Sequence, residues 1–464
     1  MPAKLRPVLL FGCLCTLLGA GHPGLLAAHP DLVATHPGRT LHVPARYTTV
    51  LRVQGSNTLG AKLVPALIGA MLERRGLVTV RTQAPDNGNE QTVMAASPAG
   101  LALAFEVAAH GSSTGFSALA DGRADLAAAS RPIHPAECKR LRSLGDMRSA
   151  QAEHVIGIDG VAVIVHPANP LRTLTVEQLA AVFAGQITRW EQLGTGHGAI
   201  HLFARDARSG TWETFQERVL LPYRATLMAQ AVRLESSEQL SQQVSQDPQA
   251  IGFVGLAFVL GARALAIADG AAAPIAPSEE AVAMEDYPLS RRLYFYLPPY
   301  GANAWAQALL AFTQGPEGQA IVAAQGFVAQ TVQAAPMRPV AGMPPAYRAL
   351  AQRAQRLSVT FRFAEGSAML DNKAMADIDR LLAFLHTPAA IQGRTVLVGF
   401  GDPKGEPGRA ALLSRLRAMA VRRELARRGL VIRQVMGFGD ERPVANNAAE
   451  AGRVRNRRVE VWLD

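Results

Sequence analysis

Three short stretches group hydroxyl and glycine residues closely enough to bind an anion. The richest runs from Arg205 to Phe215 and reads R-D-A-R-S-G-T-W-E-T-F, directly after the apolar run 199–204. A strand that gives way to Ser209-Gly210-Thr211 and then a helix gathers hydroxyls, unsatisfied N–H groups and a positive helix end around one point. Arg205, one turn earlier, adds a charged donor that can act with two nitrogens at once. This is a socket for an oxyanion. A single Ser-Gly-Thr is more often only an N-cap or a turn. The same chemistry recurs, however, in Gly55-Ser56-Asn57-Thr58 and in Gly111-Ser112-Ser113-Thr114-Gly115. The candidate contacts are therefore Ser56, Thr58, Ser112, Arg205, Ser209, Gly210 and Thr211, joined by Arg131, which follows the strand 125–129.

The elements that must position these turns alternate. The strand 50–53 precedes the first turn, and a helix with Pro65 in its first two turns follows and ends at Gly76. A strand at 78–82 completes a βαβ unit, which puts the turn at the carboxyl end of a strand, where open α/β sheets bind ligands. The polar stretch 85–99 reads as a loop. Residues 101–109 then form a strand into the second turn, and 125–129 a strand into Ser130-Arg131. The run I-G-I-D-G-V-A-V-I-V-H over 156–166 predicts a strand buried on both faces. Further alternation as far as the helices in 302–327 indicates an α/β fold.

Length and composition bound the rest. A chain of 464 residues suggests two or three domains, and 49% hydrophobic against 18% charged residues makes it globular. The net charge of +10 admits nucleic acid, anionic lipid, cell-wall polymer or small anions as partners. No zinc spacing, basic zipper or aromatic RNA-binding pattern is present, so no nucleic acid is expected. The eleven His residues are scattered, and no Ser-His-Asp spacing or metal cluster stands out, so the expectation is no enzyme, no metal and no cofactor. Residues 1–28 have Lys4 and Arg6 ahead of the apolar run 8–20 and then small residues, the layout of a signal peptide. Cys13 and Cys15 lie inside it, and Phe11-Gly12 is a poor match to a lipid-attachment site. Beyond it Cys138 is the sole cysteine, so the exported protein has no internal disulfide.

Residues 334–354 carry four prolines without apolar periodicity and read as a Pro-rich linker. After it, residues 355–464 form a smaller α+β domain. Here Asp402 ends a strand and Arg417 lies early on the next helix, so the two could pair with each other or grip the two ends of a zwitterion.

Residues 47–333 resemble the phosphate-binding proteins of ABC-type uptake systems, the PstS-like branch of the two-lobed periplasmic receptors. The resemblance rests on G-S-N-T-L-G, H-G-S-S-T-G-F, A-D-L-A-A-A-S-R-P-I, I-D-G-V-A-V-I-V, L-T-V-E-Q-L, R-D-A-R-S-G-T-W-E-T-F and A-I-G-F-V-G, in that order. It implies a two-lobed type II binding-protein fold that closes on its ligand, with oxyanion contacts at Thr58, Ser112, Arg205, Ser209, Gly210 and Thr211. An ABC transporter membrane complex would be a partner. The high-affinity members have an Asp, which accepts the proton of hydrogen phosphate, where this chain has Arg131. Asp125 and Asp159 are the acids that could take over that role.

The C-terminal residues resemble the OmpA-like domain that binds peptidoglycan without a covalent bond. V-T-F-R-F, G-F-G-D-P-K-G, L-S-R-L-R-A-M-A, G-F-G-D-E-R-P-V and N-R-R-V-E-V carry this resemblance. It implies that Asp402 and Arg417 hold the amino and carboxylate groups of a diaminopimelate side chain. Ala410, where the family has Asn, and Gly401, where it has Thr, depart from the pattern. The expectation is a periplasmic oxyanion receptor, for phosphate or a similar ion, tethered to the wall and compatible with outer-membrane association. The alternative is a structural or adhesive envelope protein whose receptor lobe has lost its ligand.

Overall fold

A computed structural model of the chain describes residues 33–36, 39–42, 47–84, 87–96, 102–207, 209–340, 342–386, 394–406 and 408–464. The expected signal peptide, with Cys13 and Cys15, lies outside them. Among the described residues no helix is long and apolar enough to cross a membrane.

The apolar run of the sequence analysis is the middle of the molecule. It forms the 13-residue strand Glu153–Val165, whose last eleven residues are all buried. The first half pairs antiparallel with Ser290–Tyr296, and the second half with Ala250–Gly255. One sheet thus runs through both lobes. Its order is Val232–Leu234, His201–Arg205, Ala250–Gly255, Glu153–Val165, Ser290–Tyr296, Leu126–Ala129, Thr48–Gly55, Ala102–Ala108, Asn87–Ala96 and Val78–Ala84. Helices cover both faces, which is why the central strands read as unbroken apolar runs. The first lobe has a core around Leu51, Leu67, Phe105 and Phe295. The second is built on Phe183, Trp190, Phe215 and Phe253, with the Phe215 and Phe253 rings stacked at 3.9 Å. The chain crosses between the lobes along Glu153–Val165 and again at Ser290–Tyr296.

Two local expectations are corrected. Residues 85–99, read as a loop, contain the strand Asn87–Ala96, which pairs antiparallel with both of its neighbours. Its many polar residues gave no apolar run to detect, and the pairing ladder on both sides decides its conformation instead of propensity. In consequence Val78–Ala84 is not the parallel partner of Thr48–Gly55 but the far edge of the sheet; Ala102–Ala108 and Leu126–Ala129 flank Thr48–Gly55 instead. Pro65 is accommodated as expected. The helix breaks after Asn57–Gly60 and restarts as Leu63–Arg74, so the proline falls in a first turn that needs no N–H.

The C-terminal unit is a five-stranded sheet in the order Ala334–Pro336, Gln355–Arg362, Arg458–Leu463, Thr395–Gly399 and Ile432–Gly437. The helix Asn372–Leu385 packs over it, and Arg409–Arg427 connects its one parallel pair. Residues 334–354, expected as an extended linker, are instead part of this unit. Ala334–Pro336 is its edge strand, where a proline costs no ladder bond. The helix Pro345–Arg353, started by its prolines, buries Tyr347 and Leu350. The Tyr347 ring meets Phe400, Phe438 and Trp462 edge-on.

The two units are fastened by buried charge. Glu285 and Asp286 stand in the turn before Ser290–Tyr296, Glu285 with a left-handed φ of 58°. Asp286 takes Arg356 at 2.6 Å and Arg362 at 3.2 Å, both from the strand Gln355–Arg362. Glu285 takes Arg292 at 2.7 Å, Arg362 at 3.3 Å and Lys373 at 3.8 Å, and Arg292 reaches on to Asp371 at 2.6 Å. Burial alone would raise the Asp286 carboxyl, but the charges of Arg356, Arg458 and Arg362 outweigh it and hold it below its ordinary value. A buried pair that loses one partner leaves the other charge stranded, at a cost of about 3–5 kcal/mol. Asp286→Ala is therefore expected to lower the unfolding free energy by about that much in urea titrations at pH 7. Because the folded carboxyl is depressed, its contribution is complete at neutral pH and fades as pH falls below ~4. The gap between Asp286→Ala and the natural protein should shrink over that acid range.

Candidate functional site

Between the lobes lies a cavity of ≈ 270 Å³, and the turns singled out in the sequence line much of it. Thr58 comes from the first lobe, and Arg205, Ser209, Gly210 and Thr211 come from the second, with Asp159 at the crossing. The first turn is set by backbone. Ser56 N–H donates to the Ala128 carbonyl at 2.8 Å and caps Asn57–Gly60, while its own Oγ, fully buried, has no hydrogen-bond partner among the described residues. In the third turn Ser209 caps the helix Gly210–Phe215, and its Oγ accepts from Thr211 N–H at 3.2 Å. The lobes approach closely where these turns meet. A Cβ on residue 210 would collide with Thr58 Oγ1, so only glycine fits there.

The other expected contacts stand further back. Ser112 opens the helix Ser112–Ala120, and its Oγ lies 3.2 Å from Ser130 Oγ and accepts from Ser130 N–H at 3.1 Å. Gly111 N–H donates to Gly55 O at 2.8 Å, so the second turn adjoins the first without lining the cavity. Arg131 is also absent from the lining. Its guanidinium grips Glu137 with both nitrogens at 2.9 and 2.7 Å, reaches Ser113 Oγ at 3.0 Å and lies over the Phe116 ring. A short helix starting at Pro135 brings Glu137 back to that position. Arg205 lines the cavity but spends its donors on the neighbouring strand and the turn after it: the Leu234 carbonyl at 3.3 Å, the Glu235 carbonyl at 2.6 Å and Ser237 Oγ. Burial draws its pKa down while Asp206, Glu235 and Asp159 oppose the shift.

The residue the sequence reading missed is Arg291. It stands directly across the strand pair from Asp159 and donates to Asp159 Oδ2 from Nε at 3.1 Å and Nη2 at 2.8 Å. The same guanidinium bonds Thr58 Oγ1 at 2.8 Å and the Gly210 carbonyl. Both side chains are almost wholly buried. A signal existed: two arginines ahead of L-Y-F-Y in one strand predict a buried ion pair. Asp125, the other acid considered, binds the Arg52 backbone and guanidinium away from the cavity.

In the C-terminal unit Asp402 is buried, with Oδ2 held by Lys404 at 2.9 Å and Arg457 at 3.0 Å, while Oδ1 has no hydrogen-bond partner among the described residues. Arg417 is 6% exposed and donates no hydrogen bond among the described residues. Its guanidinium stands beside Gly401, where a side chain would crowd it. Burial lowers the Arg417 pKa, Asp402 raises it and Arg457 lowers it further. An unpartnered acceptor and an unpartnered buried cation side by side suit a ligand that brings both an ammonium and a carboxylate.

Residues 78–317 match the sequence model of the PBP superfamily domain, and residues 362–457 match that of the OmpA family. Protein SphX of Synechocystis sp. is 31% identical over 205 residues, which are 42% of this chain and 60% of that protein. The chain thus spans less than two thirds of SphX. The phosphate-binding protein PstS of Pseudomonas aeruginosa is 28% identical over 243 residues, 48% of this chain and 73% of PstS. Among solved structures, an ABC-type phosphate transport receptor from Vibrio cholerae is 24% identical and aligns over 60% of this chain and 99% of its own, with a TM-score of 0.44.

Arg291→Leu is expected to strand the Asp159 carboxylate and cost about 3–5 kcal/mol of stability. The double substitution Arg291→Leu/Asp159→Leu should recover most of that loss in urea unfolding, because both charges are then gone. Additive losses would show that the pair is not coupled.

Proposed function

We propose, for a chain that belongs to the PBP superfamily and ends in an OmpA domain, that it binds phosphate or a similar inorganic oxyanion between its lobes while its C-terminal unit holds it to peptidoglycan in the periplasm. The observation that carries this reading is the cavity shared by Thr58 of one lobe and Ser209, Gly210 and Thr211 of the other, with helix starts and hydroxyls facing it. An ion bound there draws both lobes onto itself, as hinged receptors do. Arg291 adds positive charge at the closing point.

Asp159 supplies what Arg131 does not. One of its oxygens is engaged by Arg291, and its carboxylate lines the cavity. A carboxylate there can accept the proton that hydrogen phosphate carries and sulfate lacks, and it repels an anion with no proton to give. The released ion would pass to an ABC transporter membrane complex. Asp402 and Arg417 are the proposed wall contacts, and with the two units joined by buried charge, the receptor would be carried as one body with its anchor.

Titration calorimetry tests the first half. Phosphate should bind and sulfate much less, and Ser209→Ala should weaken phosphate by ~10-fold or more, from the ~1.5–3 kcal/mol of a hydrogen bond to a charged group. Asp159→Asn should narrow the gap between phosphate and sulfate. No heat with either ion, for folded protein, would sink the receptor reading. Co-sedimentation with purified sacculi tests the second half: Asp402→Asn and Arg417→Ala should each release the protein from the pellet while phosphate binding is unchanged.

A further inference from the structure

Arg291 also stands in the wall of a second, larger cavity of ≈ 590 Å³, where both lobes meet the C-terminal unit. Ser130 and Arg131 enter it from the first lobe, Glu217 and Arg218 from the second, and Arg362 and Arg455 from the C-terminal unit. Four of its arginines have carboxylate partners: Arg131 with Glu137, Arg291 with Asp159, Arg292 with Glu285 and Asp371, and Arg362 with Glu285 and Asp286. Two do not have a close one. Arg455 donates to the Asp286 carbonyl at 2.8 Å and to the Glu285 and Pro288 carbonyls at 3.4 Å, and its carboxylate neighbour, Asp269, is 3.7 Å away. Arg218 donates no hydrogen bond and forms no ion pair among the described residues. Burial, and then repulsion by Arg362 and Arg218, draws Arg455 down to about 9. Positive charge is therefore in local excess on this side of the cavity, whereas the field of Glu217 is felt at Arg131 and Glu213.

The helix that carries Arg218 is also irregular. After Gly210–Phe215 it widens into a π-helical turn over Gln216–Leu220. Such π-helical turns are rare and recur at functional sites. The cavity is about twice the volume of the cleft, which suits an organic ion better than a bare tetrahedral one.

We propose that this seam cavity is a second anion site, in which Arg218 and Arg455 clamp a small organic polyanion, a di- or tricarboxylate or a phosphomonoester, and so lock the second lobe onto the C-terminal unit. Planar guanidinium groups match both kinds of oxygen pair, which is why the two ligand classes share one chemistry. The inference does not depend on which ion fills the cleft.

The test uses the full chain in a phosphate-free buffer, with citrate and glycerol 3-phosphate as probes and sodium chloride matched for ionic strength. At least one probe should raise the melting temperature beyond the salt control and bind one per chain by calorimetry. Response to citrate alone assigns a carboxylate ligand, and response to glycerol 3-phosphate alone assigns a phosphomonoester. Arg218→Ala, which removes no hydrogen bond, should leave the unliganded melting temperature unchanged and weaken the responding probe at least 10-fold. Ser209→Ala should leave that response intact. The proposal is overturned if neither probe exceeds the salt control, if Arg218→Ala responds like the natural protein, or if Ser209→Ala abolishes the response and so moves it to the cleft.

Discussion

Two adjacent arginines on one strand hold this molecule together. Side chains alternate across a strand, so Arg291 and Arg292 leave Ser290–Tyr296 on opposite faces. Arg291 meets the cleft residues Asp159, Thr58 and Gly210 from behind and also walls the seam cavity. Arg292 turns to the seam, where it meets Glu285 and Asp371. The strand itself is one of the two crossings between the lobes. A single element therefore contacts residues that line the cleft, forms one crossing between the lobes and meets the docked C-terminal unit.

Charge in such places needs close counter-charge. A buried guanidinium loses its hydration, and only close carboxylates or carbonyls compensate, so geometry at the seam is specified more tightly than by apolar contact alone. Glu285 and Asp286 show this: between them they meet four cations from the strands Ser290–Tyr296 and Gln355–Arg362 and from the helix Asn372–Leu385. The same demand gives the unpaired members meaning. Ser56 Oγ and Asp402 Oδ1 are buried without hydrogen-bond partners among the described residues. Among the described residues Arg417 donates no hydrogen bond and Arg218 forms no ion pair.

Much of this was legible beforehand, and the limits of legibility are physical. The strand Glu153–Val165 announced itself because a strand covered on both faces must be apolar throughout. The Ser/Thr turns were readable because hydroxyls and glycine at strand-to-helix junctions serve a local purpose. The strand Asn87–Ala96 was not readable, since its conformation comes from partners on both sides rather than from its own residues. Residues 334–354 misled for the same reason: four prolines suggest an extended chain, yet Tyr347 and Leu350 find a core only once Phe400 and Trp462 have been brought to them.

What is local follows from the sequence alone: the α/β layering, the turns that carry Thr58, Ser209, Gly210 and Thr211, and an acid at the end of one strand, Asp402, ahead of a base on the next helix, Arg417. Only the tertiary structure decided which of these face one another. Arg131, equally basic on paper, is drawn away by Glu137 on a helix six residues later. Arg291 and Asp159, 132 residues apart in the chain, become direct cross-strand partners at the cleft. The reason is that a charge's role depends on what else is buried within a few ångströms of it, and that distance is set by the sheet rather than by the order of residues along the chain.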